Sequence, residues 1–411
     1  MISFVTDELP KPGAAGHLAL NHAIITWLRG EGFTVNILLT GARQTRLVEA
    51  YTDAPVAGPH ITQAKNRIFV TSPKAVLKLL ARAVLNRLPG WAEIKIRRAR
   101  HGGDTVLGSF PNVADTRWCA QAVERLQPEA VLIDTMFRAP LLAEPELEGV
   151  NTVIIAHDVF YRRAQALNAA GYKVQPEGLT RAREALLLDR AKSIAAIQPD
   201  EAALIRAMCP ARNVFTAPMP ALPCFPPPHT RRIPGRLVFV GSASLPNLDG
   251  MRWFLSEIWP LLAPKAVTLD IIGDCGPRLS RLPIGVKAWG RVADLAPLLH
   301  RASLAIAPLR AGSGLKVKLL DYARHGLTTI VTPPGLAGFE PDAESPFVVA
   351  GSAAIFAQAV LRQMREPPAP EQAIAYCTRH YGADASFAGL RAALRNNGIA
   401  PEPEQIRELR L

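Results

Sequence analysis

The chain has 411 residues, room for two or three domains with sizeable cores, and two are expected. Its five cysteines, Cys119, Cys209, Cys224, Cys275 and Cys377, are scattered with no C-x-x-C pair and no metal-ligand spacing, which argues against a disulfide framework or a zinc site. The formal charge of +12 is concentrated: between Ile61 and Arg100, ten lysines and arginines meet the single acid Glu93, a local excess of +9 that points to a localised anionic partner.

Ile2 to Val5 reads as a first strand and not as a secretory leader, and no run of about 18 apolar residues is present to span a bilayer, so a cytosolic protein is expected. The polar loop Asp7 to His17, a helix to about Arg29 and a strand from Thr34 to Leu39 make a β-loop-α-β opening, the usual start of a doubly wound parallel sheet. Gly13 and Gly16 allow close backbone approach in that loop, although a plain tight turn would use them equally. They do not make the G-x-G-x-x-G of a dinucleotide site.

Pro73 to Leu88 is patterned as a helix with Val76, Leu77, Leu80, Ala83, Val84 and Leu88 on one face and Lys74, Lys78, Arg82 and Arg87 flanking it. Such a face either docks on anionic lipid or packs on the domain core. A nucleic-acid partner is not expected, because the basic stretch offers only Phe69 and Trp91 for stacking and matches no reader motif.

Two buried-strand patterns follow, Ala130 to Ile133 ending at Asp134, and Thr152 to Ala156 ending at His157-Asp158. The second puts an imidazole at the tip of a central strand, where α/β sheets hold their ligands. Asp158 either orients the loop or caps the next helix. Arg162 and Arg163 read as solvated. Glu184 to Met208 reads as helix, short strand and helix, and the seven prolines between Ala217 and Gly235 mark a linker.

Strands and helices then alternate: Leu237 to Val240, a helix from about Asp249, Thr268 to Ile272, Ser303 to Leu309, and Thr329 to Thr332. Between the last two lies APLRAGSGLKVKLLDYARHG. A strand empties into Gly312-Ser313-Gly314, and a helical pattern follows with Leu315, Lys316, Lys318 and Asp321 before Gly326 stops it. Glycines admit a ligand to the backbone, free N–H groups at a helix start attract phosphate, and the lysines add charge. Arg310 and the Gly241-Ser242 turn after the first strand of this half complete the expected anion site. Asp321, one turn beyond Lys318, is suited to vicinal sugar hydroxyls. In the alternative, Lys318 merely pairs with Asp321 or Tyr322 one turn on.

From Leu237 to Glu340 the chain resembles the donor-binding half of retaining GT-B glycosyltransferases of family 4, through LVFVGSASLPNLDG, LDIIGDCG, VKAWGRVADLAPLLHRASLAIAPL and GSGLKVKLLDYARHG. The family's E-x7-E pair falls on Ser313 and Asp321. The resemblance implies two Rossmann-like doubly wound parallel-sheet domains facing across a cleft: 1–216 on the acceptor side, a linker 217–235, a nucleotide-sugar domain 236–385, and a tail 386–411 returning to the first domain. It implies His157 and Asp158 as the catalytic residues and Gly13, Gly16 and His17 on the acceptor side. Donor contacts fall on Gly241, Ser242, Arg310, Gly312, Ser313, Gly314, Leu315, Lys316, Lys318 and Asp321, with Asp321 on the ribose.

The expected activity is transfer of a sugar from a nucleotide-diphosphate sugar to a lipid-linked, glycan or protein acceptor, with retention and with no metal or other cofactor. It takes place in the cytoplasm or peripherally on the cytoplasmic face of a membrane, through residues 61–100. No D-x-D element marks a metal-bound donor, and no carboxylate pair suggests glycoside hydrolysis. A nucleotide-sugar epimerase and an inert GT-B scaffold are the alternatives.

Overall fold

A computed structural model describes residues 1–12, 16–41, 47–85, 105–169, 171–311, 315–339, 342–366 and 368–399. Gly13, Gly312, Ser313, Gly314 and the basic run from Arg87 to Arg100 lie outside the described residues. The chain divides into two compact units, Met1–Pro218 with Phe387–Leu411, and Met219–Ser386.

In the first unit the strands are β1 (Ile2–Thr6), β2 (Val35–Leu39), β3 (Val48–Ala50), β4 (Val56–Ala57), β5 (Ile61–Ala64), β6 (Arg67–Val70), β7 (Thr105–Val106), β8 (Ala130–Asp134), β9 (Asn151–Ala156), β10 (Val174–Gln175), β11 (Ser193–Ala196) and β12 (Asn213–Thr216). Seven of them form a sheet in the order β12-β11-β9-β8-β1-β2-β4, and every pairing in it is parallel. β1, β8 and β11 are buried along their whole length, and β9 beyond its first residue. Covered faces on both sides are what their continuous apolar runs demand. The sequence of strands reverses between β1 and β8, so the carboxyl ends of those two strands bound the switch point, where ligands of such sheets sit.

The helix Gly16–Gly30 connects β1 to β2 and buries Leu18, Ile24, Ile25 and Leu28. The chain returns to this unit through the helix Ala383–Asn396: Phe387 stacks on Trp27 with ring centroids 5.1 Å apart, and Arg391 forks onto the Glu31 carboxylate at 2.9 and 3.0 Å. A small antiparallel sheet, β3-β6-β5, was not legible from the polar run around it. The helix expected to Leu88 is described over Pro73–Leu85, and Leu77 and Leu80 stand exposed on it, 70% and 48%.

The second unit holds β13 (Arg236–Val240), β14 (Thr268–Ile272), β15 (Val286–Gly290), β16 (Leu304–Ala307), β17 (Thr329–Val331) and β18 (Phe347–Val349). They pair in parallel in the order β15-β14-β13-β16-β17-β18. Here the order reverses between β13 and β16. The fold class expected from the alternation is therefore the observed one, a mixed α/β chain with two doubly wound parallel sheets. The helix after β13 begins at Leu245, earlier than expected, with Pro246 seated in its first turn where a missing N–H costs nothing. The proline-rich stretch from Met219 lies with this unit: the N–H groups of Ala221, Cys224 and Ile233 donate to the carbonyls of Tyr381, Arg324 and Arg301.

Candidate functional site

At the switch point of the second sheet, β13 ends in Gly241-Ser242. A side chain at Gly241 would collide with Phe239, and Gly273, at φ +96°, packs so closely that a Cβ there would lie 2.4 Å from the Gly241 carbonyl oxygen. The Gly241 N–H donates to the Ile272 carbonyl at 2.9 Å and its carbonyl accepts from the Cys275 N–H at 3.1 Å, so the turn is fixed from both sides. Asn247 reaches back from the following helix and donates Nδ2 to the Ser242 carbonyl at 3.0 Å. Its Oδ1 accepts from Lys318 Nζ at 2.6 Å. One side chain thus joins the turn after β13 to the helix after β16.

That helix spans Val317–Arg324, with Lys316 at its cap position, so it starts two residues later than the glycine pattern suggests. Leu319, Leu320, Tyr322 and Ala323 bury one face, and the Tyr322 hydroxyl accepts from the Val240 N–H at 2.7 Å, locking the helix to the end of β13. Leu315 packs against the same core. The ammonium of Lys318 lies 4.3 Å above the Phe239 ring. Burial pushes its pKa down from 10.5 to about 7, and burial also lowers that of Lys316. An ammonium so placed gains its charge most readily when an anion arrives.

Asp321 is half-buried; burial raises its pKa against the opposing pull of Arg324, whose Nε donates to Oδ1 at 3.0 Å. Lys318 turns to Asn247 instead of pairing with Asp321. Arg310 stays exposed, 3.8 Å from the Asp249 carboxylate, and lines a 570 Å³ pocket with Trp253, Glu257, Thr332 and Pro333. Asn247 and Tyr322, absent from the expected site, are its tie-points; only the asparagine within the PNLDG run gave a signal.

The first unit carries a second polar constellation at its own switch point. His157, at the tip of β9, shares Nε2 between Asp134 Oδ1 at 2.9 Å and Asn21 Oδ1 at 3.1 Å. Both partners are acceptors, so Nε2 carries a proton. Thr6 at the end of β1 donates its hydroxyl to Asp134 Oδ2 at 2.7 Å. Burial opposes the charge on Asp134, but the hydrogen bonds from His157 and Thr6 outweigh it and hold the carboxyl well below its usual range. The His17 ring lies edge-on to His157 with centroids 5.9 Å apart, and its pKa is raised, first by the Glu8 carboxylate. The carboxylate beside the imidazole is therefore Asp134, while the adjacent Asp158 turns to Arg163 at 2.8 Å. Gly16 opens the helix Gly16–Gly30, with no atom within 4 Å of where a side chain would start.

Comparison with known proteins bears on the second unit most directly. Residues 234–366 match the family model of Glycosyl transferases group 1. The matched region contains the whole β13-to-β18 sheet and every described member of the Asn247–Lys318 network. Among solved structures, Anabaena Alr3699/HepE in complex with UDP aligns with a TM-score of 0.61 at 13% identity, over 96% of this chain and 99% of that one. The lipopolysaccharide outer core galactosyltransferase WaaB, in its apo form, aligns with a TM-score of 0.56 at 14% identity, again over 96% and 99%. TarM aligns with a TM-score of 0.53 at 11% identity over 69% of this chain, which spans 58% of the TarM structure. At these identities the likeness is one of fold, the GT-B architecture of two Rossmann-like units. No curated protein matches the chain by sequence.

Proposed function

We propose that the protein is a glycosyltransferase that moves a sugar from a nucleotide-diphosphate sugar to an acceptor, with retention at the anomeric carbon and without a metal ion. The observation that carries this reading is the Ser242–Asn247–Lys318 network at the switch point of the sheet, inside the region that matches the glycosyl-transferase model. The departing diphosphate develops negative charge, so the main catalytic demand is a preorganised positive field. Lys318 and Lys316 supply it, with the glycine-rich residues 312–314 before them. Asp321 accepts the ribose hydroxyls, and His157, held by Asp134, steadies the transferred sugar.

A membrane-borne acceptor fits the exposed Leu77 and Leu80 beside Lys74 on the helix Pro73–Leu85. Among the described residues no helix is long and apolar enough to cross a membrane, so the proposed attachment is peripheral.

The test is to incubate the purified protein with a panel of nucleotide sugars and candidate acceptors, following diphosphate release and product. Asp321→Ala and His157→Ala are expected to abolish most turnover. Equal background from all three proteins would establish an inert scaffold, and isomerised donor formed without acceptor would establish an epimerase.

A further inference from the structure

Cys224, His300 and His325 are far apart in the chain, and the fold gathers them at one place in the second unit. One ring nitrogen from each histidine and the Cys224 sulfur all lie within 4.8 Å of one another. Both histidines are buried, 4% and 2% exposed, and Cys224 is the one cysteine of the five that is not buried. We propose that these three side chains bind a zinc-class divalent ion, a site separate from the sugar-nucleotide chemistry.

The backbone around the cluster ties the three residues to one another. Cys224 is pinned on both sides by the elements that carry the histidines: its N–H donates to the carbonyl of Arg324, next to His325, at 2.8 Å. Its carbonyl accepts from His300 Nε2 at 2.9 Å. His325 donates Nδ1 to the Asp321 carbonyl at 2.6 Å. A nitrogen facing a carbonyl must carry the proton, so the other nitrogen of each ring keeps its lone pair. This is the outer hydrogen bonding by which proteins set the tautomer of metal-binding histidines.

One thiolate with two imidazoles is a donor set suited to zinc. Tetrahedral bonds of roughly 2.0–2.3 Å place ligand atoms about 3.3–3.6 Å apart, so the cluster needs to close by roughly 1 Å or a little more. Water takes the fourth position. Binding displaces the thiol proton from Cys224 to solvent and releases to solvent the other waters of the hydrated ion. The bound ion would tie the proline-rich stretch to the ends of the helices Ala296–Arg301 and Val317–Arg324, and so brace the helix that carries Lys318 and Asp321.

The experiment uses tag-free full-length protein, stripped with chelator and dialysed, then titrated with Zn²⁺ and in parallel with Co²⁺. Elemental analysis should find one zinc per chain, with a higher Tm than the stripped protein. Co²⁺ should give a thiolate-to-metal charge-transfer band. Cys224→Ser, at a part-exposed position, should remove the band and weaken zinc binding by about tenfold or more. His300→Gln and His325→Gln should weaken it comparably with far-UV circular dichroism unchanged, and Cys119→Ala should leave both signals intact. Failure of the stripped parent to take up zinc, or uptake and a cobalt band indifferent to Cys224→Ser, would overturn the proposal.

Discussion

Replacing Lys318 by methionine should stabilise the ligand-free protein at neutral pH and remove its affinity for nucleoside diphosphates. The unfolded chain holds the Lys318 proton up to 10.5, whereas the folded protein releases it near 7. Between those values the unfolded state binds more protons, so stability falls as pH drops from 10.5 to 7, and the full penalty is present below about 7. Each pH unit in that interval corresponds to about 1.4 kcal/mol, which bounds the penalty at about 5 kcal/mol. Lys318 is only part-buried as a residue, and its bond to Asn247 and the Phe239 ring return some of the cost. A net gain of about 2 kcal/mol at pH 7, vanishing near pH 10.5, is therefore expected of the methionine variant. Urea unfolding at the two pH values measures it. Calorimetric titration of the parent with a panel of nucleoside diphosphates, in buffers of different ionisation enthalpy, should show proton uptake above pH 7 and weakening affinity as pH rises. A variant that gains no more at pH 7 than at 10.5 would refute the burial argument. One that binds diphosphates as tightly as the parent would refute the phosphate assignment.

Three further outcomes are expected. Asp134→Asn exchanges a buried carboxylate for an amide between Thr6 and His157, and should cost about 2–3 kcal/mol at pH 7 by thermal or urea unfolding. Because the folded carboxyl is held low, its contribution is present above the usual carboxylate range and is lost as pH falls through the folded value, so the variant's Tm should depend less on pH below 5. Glu201 behaves oppositely: burial pushes its pKa up to about 8, and its Oε2 has no hydrogen-bond partner. Stability is then lost as pH rises from 4.5 to 8, so Glu201→Gln should match the parent's Tm near pH 4.5 and exceed it at pH 8.5. Gly273→Ala combines positive φ with a clash at the Gly241 carbonyl. It should cost about 3 kcal/mol or more and weaken diphosphate binding through the displaced turn, read by unfolding and by calorimetry.

Much of the architecture was readable from the chain because buried parallel strands are short, continuous apolar runs. ISFVT, AVLID and NTVIIA declare themselves in this way, and Thr268–Ile272 was expected at its observed bounds. VKAWG did not, since β15 is an edge strand with alternating partial exposure and carries no apolar run. The helix after the glycine-rich residues was expected to start directly after Gly314 and starts at Val317. Its lysines were legible, but their partners were not: Asn247 stands 71 positions before Lys318, and no local pattern links them.

What the chain order alone determined is which residues stand at strand tips. A hydrophobic run must end where water begins, and that rule put His157, Asp134 and Gly241-Ser242 at carboxyl edges. Which of these groups touch was decided only by the sheet. Neighbouring residues at a strand end diverge, so Asp158 leaves for Arg163, while strands paired in register bring Asp134 to His157 and Thr6 to Asp134. The same folding gathers Cys224, His300 and His325, whose spacing along the chain carries no sign of it. Hydrophobic burial is written locally in a sequence, whereas a polar contact depends on two distant backbones reaching one point, and that requires the fold.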